Sequence, residues 1–216
     1  MTLDLFDGEG VEPRRETIAE GAVILRGFAG EVGQGLMAAI DLVASQSPFR
    51  HMETPGGHTM SAAMTCCGEF GWVTDRRGYR YEPRDPVTGQ AWPRMPELFL
   101  KLASEAAAEA GFENFVPDAC LINRYQPGAK MGLHQDRDER DFSQPIVSVS
   151  LGLPIVFQFG GPRRNDRPVR VPLAHGDAVV WGGPARRHYH GVLTLKAGDH
   201  PLTGAHRYNL TFRKAG

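Results

Sequence analysis

The spacing of apolar positions changes along the chain, from helical in the first half to alternating in the second. Ala22-Val23-Ile24-Leu25 is a continuous apolar run ended by Gly27, which predicts a short buried strand. From Val32 to about Ser45, Leu36, Ile40 and Val43 recur at helical spacing, and Pro48 lies just beyond as a stop. A second helix is predicted over Pro96 to Ala110. Leu98, Leu102 and Ala106 form its apolar stripe, Pro96 suits the first turn, and Gly111 closes the end. After it the period falls to two. Strands are predicted at Ala119–Tyr125, Ile146–Leu151, Ile155–Phe159, Val169–Leu173, Ala178–Trp181, His188–Thr194 and Arg207–Arg213, with glycine- and proline-bearing turns between them. Ser148 and Ser150 alternate with Val147, Val149 and Leu151, as in a strand with one polar and one apolar face. Many short strands following helices predict a mostly β, α+β fold, a double-stranded β-helix or jelly-roll barrel buttressed by helices.

Length and composition narrow this further. The 216 residues suit one domain, 41% of them are hydrophobic, and that is enough for a sizeable core. Net charge is −1, so no global basic field marks a nucleic-acid binder, and any polyanion site must be a local patch. Cys66, Cys67 and Cys120 make neither a ligand pattern nor a disulfide framework, which fits a reducing cytoplasm. No apolar run is long enough to span a bilayer, so no membrane role is expected. No obligate protein partner is evident and a monomer is expected. Residues 1–16 read as a loose polar arm in which Leu3, Leu5 and Phe6 stand out.

Residues 49–94 differ in character. Glycines 56, 57, 68, 71, 78 and 89 interleave with Trp72, Tyr79, Tyr81 and Trp92 and with Arg76, Arg77, Arg80 and Arg84. Aromatics beside arginines suit bases and phosphates. An ordinary β-hairpin with its rings packed on the core fits the same pattern.

The candidate chemistry centres on His134-Gln135-Asp136. In an extended strand, residues two apart share a face, with Cα atoms roughly 6.6 Å apart. His134 and Asp136 can thus aim an imidazole and a carboxylate at one point while Gln135 faces away. A further histidine comes from Arg186-Arg187-His188-Tyr189-His190-Gly191, where His188 and His190 compete. Two histidines and one carboxylate suit a facially held Fe(II) with open positions. In the final strand Arg207, Asn209, Thr211 and Arg213 share one face and Tyr208, Leu210 and Phe212 the other. Two arginines and an amide on a buried face require an anion, and a small dicarboxylate would pair with them bidentately.

Asn123-Arg124-Tyr125, His134-x-Asp136, His190-Gly191 and Arg207-x-Asn209-x-x-x-Arg213, in that order, resemble the AlkB family of Fe(II)- and 2-oxoglutarate-dependent dioxygenases. The likeness runs from about Gly21 to Lys214. It extends through Asp118–Tyr125, Pro145–Gly152, Phe157–Gly161 and His175–Asp177. The resemblance implies that His134, Asp136 and His190 hold Fe(II), and that Asn123, Tyr125, Arg207, Asn209 and Arg213 hold 2-oxoglutarate, with O2 as co-substrate. It makes about 49–94 a lid over the nucleotide, with Met64, Trp72 and Tyr79 gripping the base, and about 117–214 the catalytic core. It brings Lys130, Gln135, Asp138 and Glu139 to the nucleic acid, with Asp138 accepting from an exocyclic amine. Read from the residues alone, Arg164 is a phosphate contact or a plain surface turn. Val73-Thr74-Asp75 departs from the hydroxyl and basic residues that well-known members carry there.

The implied activity is oxidative demethylation of bases such as 1-methyladenine and 3-methylcytosine, with release of formaldehyde, succinate and carbon dioxide. Single-stranded DNA is the expected substrate, with double-stranded DNA or RNA as further ones. Two other functions share parts of the pattern. One is a 2-oxoglutarate-dependent hydroxylase of a protein or small molecule. The other is a non-catalytic nucleic-acid-binding module with a structural metal.

Overall fold

A computed structural model describes residues 15–216. Its elements in order are β1 (Arg15–Ala19), β2 (Ala22–Leu25), α1 (Gly33–Gln46), β3 (Ala63–Gly68), β4 (Gly71–Asp75), β5 (Gly78–Glu82), α2 (Glu97–Glu109), β6 (Ala119–Tyr125), β7 (Met131–His134), β8 (Ile146–Gly152), β9 (Ile155–Phe159), β10 (Val169–Leu173), β11 (Ala178–Trp181), a 3-10 turn (Gly183–Ala185), β12 (His190–Val192) and β13 (Arg207–Arg213). The described residues are mostly β with two α-helices, as the periodicity predicts. Among the described residues no helix is long and apolar enough to cross a membrane.

Seven strands form the larger sheet, in the order β1-β2-β11-β8-β13-β6-β3. Four form a smaller one, β10-β9-β12-β7, and β4-β5 is a separate hairpin. Side-chain alternation along the larger sheet sorts residues between two cores. Val147, Val149 and Leu151 of β8 and Tyr208, Leu210 and Phe212 of β13 pack with Leu36, Ile40, Phe99 and Leu102 from the helices. On the other face Ile24, Met64, Leu121, Val179 and Trp181 pack with Phe157 and Phe159 of the smaller sheet. Ser148 of β8 and Arg207, Asn209, Thr211 and Arg213 of β13 lie on this second face and line a cavity there. Strand β13 sits between β8 and β6, so both of its edges are hydrogen-bonded and every residue in it is buried.

The observed elements differ from the sequence reading at four places. Of the proposed 1–16 arm, residues 1–14 lie outside the described residues, and Arg15 and Glu16 open β1, which pairs with β2. The segment 49–94 is not one unit: β3 extends the larger sheet by pairing with β6, and only β4-β5 stands apart. Strand β7 ends at His134, so Asp136 lies beyond it. The strand expected over His188–Thr194 is confined to His190–Val192, because His188 closes the preceding 3-10 turn with an N–H donated to Ala185.

Candidate active site

Strands β7 and β12 are antiparallel neighbours, and their register places His190 opposite His134. The two rings lie 4.5 Å apart between centroids. Asp136, two residues beyond His134, brings Oδ1 to 3.7 Å from His134 Nε2 and Oδ2 to 3.8 Å from His190 Nε2. One ligand atom from each of the three residues lies within 4.8 Å of the others. His134 Nδ1 is 2.9 Å from the Gly132 carbonyl and His190 Nδ1 is 3.1 Å from that of His188. A carbonyl only accepts, so both Nδ1 atoms carry the proton and both Nε2 lone pairs face the carboxylate. That is the donor set a metal requires.

Glycine after His190 has a steric reason. A Cβ on Gly191 would lie 2.6 Å from the Met131 carbonyl oxygen and 2.9 Å from that of Gly132. A larger residue would push β12 away from β7 and part the two histidines.

Electrostatics favour a cation. Burial is the largest influence on Asp136 and pushes its carboxyl up, but Arg213, His190 and His134 together outweigh it and hold it well below the ordinary value. Burial, with His134 beside it, lowers His190 to about 4. At neutral pH the trio is therefore one carboxylate and a neutral His190.

The cavity in front of this trio has a volume of about 450 Å3. Its floor comes from the polar face of β13 and β6. Arg207 is 2% exposed and donates from Nη2 to Ser150 Oγ at 2.9 Å, while Nε and Nη1 have no hydrogen-bond partner among the described residues. The Tyr125 ring centroid lies 5.1 Å from its guanidinium carbon. Asn123 Oδ1 is also unsatisfied. Asn209 is held by Ser148 Oγ at 2.8 Å and by the Val149 carbonyl at 3.1 Å. A buried guanidinium with two idle donors is costly unless an anion meets it. This cavity supplies the place for one.

The rim carries the aromatics. Trp72 of β4 and Tyr79 of β5 stack with centroids 5.7 Å apart and planes 19° apart, and Trp72 Nε1 donates to Asp138 Oδ2 at 2.9 Å. Met64, Gln135 and Arg164 also line the cavity. Gln135 donates its amide to the carbonyls of Pro162 and Arg187, and Arg164 lies 5.9 Å from the Tyr189 ring.

A family model described as the 2OG-Fe(II) oxygenase superfamily matches residues 21–213. The alpha-ketoglutarate-dependent dioxygenase AlkB of Escherichia coli is 61% identical over 99% of this chain and 98% of that protein. Its Salmonella typhimurium counterpart is 60% identical with the same coverage. The chain belongs to the AlkB family of 2OG-Fe(II) oxygenases. It is an Fe(II)- and 2-oxoglutarate-dependent dioxygenase. The solved structure of OsALKBH1, 30% identical, superposes with a TM-score of 0.82 over 93% of this chain and 100% of that one.

Two residues, Glu139 and Lys130, stand differently from the sequence expectation. Glu139, expected at the nucleic acid, is 6% exposed and faces inward onto Arg186, Arg213 and Tyr81. Lys130 lies outside the cavity, and its backbone brackets the Ser61 hydroxyl. Arg213 lines the cavity, as expected of a co-substrate residue, and its Nε and Nη2 also donate to Asp136. His188, the competitor of His190, instead stacks against Phe159 at 5.5 Å. Arg186, Tyr81 and Trp181 escaped the sequence reading as site residues. Arg186 sits in what looks like a basic surface turn, and nothing local shows that it is buried. Trp181 shares a strand face with Val179, which reads as plain core, yet its ring lies 4.8 Å from His190.

Proposed function

We propose that this AlkB-family dioxygenase demethylates alkylated nucleobases, and that single-stranded DNA is its principal substrate. The supporting observation is the cavity itself. It joins a two-histidine, one-carboxylate trio and an anion-seeking arginine at its floor to a stacked aromatic pair at its rim. In this reading His134, Asp136 and His190 hold Fe(II). Arg207, with Asn123, Tyr125 and Asn209, receives the distal carboxylate of 2-oxoglutarate, and Arg213, also lining the cavity, orients Asp136 and faces the co-substrate beside it. When bound, iron and 2-oxoglutarate supply the O2-dependent oxidation of the methyl group, which leaves as formaldehyde.

The chain's own residues bind, orient and shield. A target base must leave its stack, at a cost of a few kcal/mol that is least for single strands and lesions unable to pair. Stacking on Trp72 and Tyr79 returns about 1–3 kcal/mol. Asp138, already an acceptor for Trp72, offers its carboxylate to an exocyclic amine at the base edge. Met64 and Trp181 give the methyl group an apolar surround that excludes water. Arg164 at the rim meets phosphate. Lys130, outside the cavity, contributes long-range attraction.

The two packed sheets fit a jelly-roll core spanning about 117–214, with β4-β5 as the recognition element. Three free buried cysteines suit a reducing cytoplasm. Mass spectrometry of oligonucleotides carrying 1-methyladenine or 3-methylcytosine tests the reading. After incubation with Fe(II), 2-oxoglutarate and air, the methyl mass should be lost. An unchanged oligonucleotide beside rapid oxidation of a protein or metabolite substrate would overturn it.

A further inference from the structure

Behind the metal trio lies a buried polar network in which Tyr81, Glu139 and Arg186 have no role in the reaction as described. The Tyr81 hydroxyl, on β5 of the hairpin, donates to Glu139 Oε1 at 2.9 Å. The same Oε1 lies 3.3 Å from Arg213 Nε, and that Nε donates to Asp136 Oδ2 at 2.9 Å. Arg186 closes the network from the other side. Its Nη2 is 3.2 Å from Glu139 Oε2, its Nη1 donates to the Asp136 backbone carbonyl at 3.2 Å, and its Nε donates to the Gln144 carbonyl at 2.9 Å. The side chains of Glu139, Arg186 and Arg213 are 2%, 3% and 7% exposed. No bulk water screens this network, so its members polarise one another strongly.

The hairpin therefore holds the 136–139 segment at two points. Trp72, on the substrate-facing side, reaches Asp138, and Tyr81 reaches Glu139 one residue later. In the β4-β5 register Trp72 and Tyr81 are directly paired, so a shift of one carries the other. Arg213 Nε donates to Asp136 Oδ2 and forms an ion pair with Glu139 Oε1. The hydrogen bond from Tyr81 partly satisfies the Glu139 carboxylate, and so sets how strongly Glu139 competes with Asp136 for the Arg213 charge. Moving the hairpin then changes how firmly the metal-facing carboxylate is held.

Resting on the reading of the hairpin as the nucleotide-recognition element, we propose that Tyr81 and Glu139 are positioning residues that couple occupancy of the hairpin to the metal site through Arg213 and Asp136. Neither touches substrate. The coupling is reciprocal, as linkage requires: a bound oligonucleotide tightens the metal and 2-oxoglutarate site, and the loaded site tightens oligonucleotide binding.

The test measures binding without turnover. Mn(II) with 2-oxoglutarate is added anaerobically, and the affinity for a single strand carrying 3-methylcytosine is read by fluorescence anisotropy with and without them. Coupling in the native protein should be at least about five-fold, and in Tyr81→Phe should fall below about two-fold. Tyr81→Phe keeps the ring, so affinity of the unloaded protein and the melting temperature should stay near native. Glu139→Gln keeps an acceptor for the Tyr81 hydroxyl but removes the charge that faces Arg213 and Arg186, so it too should lose the coupling, and adding Tyr81→Phe to it should lose no more. Undiminished coupling in Tyr81→Phe overturns the proposal. So does a native protein that binds the oligonucleotide equally well loaded and unloaded. A native protein with no affinity for the oligonucleotide in either state overturns the substrate reading first, and this proposal with it.

Discussion

Arg213 donates two hydrogen bonds to one oxygen of Asp136, from Nη2 at 2.7 Å and from Nε at 2.9 Å. The contact is buried, with side-chain exposures of 7% and 9%. Arg213 thus fixes the carboxylate that the two histidines face, and it balances the negative charge before any cation arrives. Asp136→Asn removes that balance and leaves the guanidinium with Glu139 as its remaining acid. Breaking a buried ion pair from one side costs about 3–5 kcal/mol. The expected result is a clear fall in the melting temperature of the metal-free protein together with loss of Fe(II) binding, read by calorimetry and by metal titration. Native metal affinity in Asp136→Asn would remove this residue from the site.

Arg207 differs from Arg213 in having donors to spare. Arg207→Ala should weaken 2-oxoglutarate binding by about 1.5–3 kcal/mol, roughly one to two decades in affinity, the worth of a charge-assisted hydrogen bond. Metal affinity should hardly change, because among the described residues Arg207 makes no hydrogen bond or ion pair with the trio. Anaerobic titration of the Fe(II) protein with 2-oxoglutarate reads both. Equal affinity in variant and native protein would mean that the anion sits elsewhere.

Much of this site is written in alternation. The two faces of β13 could be separated from Arg207, Asn209, Thr211 and Arg213 against Tyr208, Leu210 and Phe212, because a central strand buries both faces and only their polarity differs. His134-x-Asp136 was legible because residues two apart share a face, although β7 is an edge strand and Asp136 lies just past it. Glu139 was not legible. In Arg137-Asp138-Glu139-Arg140 neighbouring charges look alike, and the inward turn of Glu139 is decided by Arg186 and Tyr81, 47 and 58 positions away along the chain. The pairing of β3 with β6 was hidden likewise, since pairing over such a separation leaves no local trace.

The acid response of the metal-free protein follows from His190. Its value falls from the ordinary 6.5 to about 4, chiefly by burial. Between those limits the unfolded chain binds the proton and the native protein does not, so stability rises with pH in that window. The metal-free protein should therefore lose on the order of 3 kcal/mol on acidification through it, at about 1.4 kcal/mol per pH unit. His190→Asn should flatten that limb in denaturant titrations at stepped pH. An equally steep limb in the variant would assign the acid response to other groups.

Trp72 is half-buried and anchored by one hydrogen bond to Asp138 and one stacking contact with Tyr79. Trp72→Ala should loosen methylated single strands by about 1–3 kcal/mol, the worth of one stacked base. Affinities for metal and 2-oxoglutarate should hold, and the melting temperature should fall less than the roughly 3–5 kcal/mol loss of a fully buried tryptophan would require. A collapse of stability with every activity reduced together would make Trp72 a core residue.

Burial pushes the Cys66 thiol up to about 12 and raises Cys120 well above its ordinary value. A thiol reacts as its thiolate, so neither should be alkylated by iodoacetamide at pH 8 in the native protein, whereas both should react once it is unfolded. Peptide mass mapping reads the outcome. Rapid native labelling of either would contradict its burial.

The most direct measurement is the balance of products from one reaction. Native protein is loaded with Fe(II) and 2-oxoglutarate and mixed with air and a single strand carrying 3-methylcytosine, and formaldehyde, succinate and unmethylated cytosine are quantified together. Equal amounts of all three, dependent on the methyl group and abolished by Asp136→Asn, are expected. Succinate forming at the same rate with methylated and unmethylated strands, without formaldehyde, would contradict nucleobase demethylation as the function of this site.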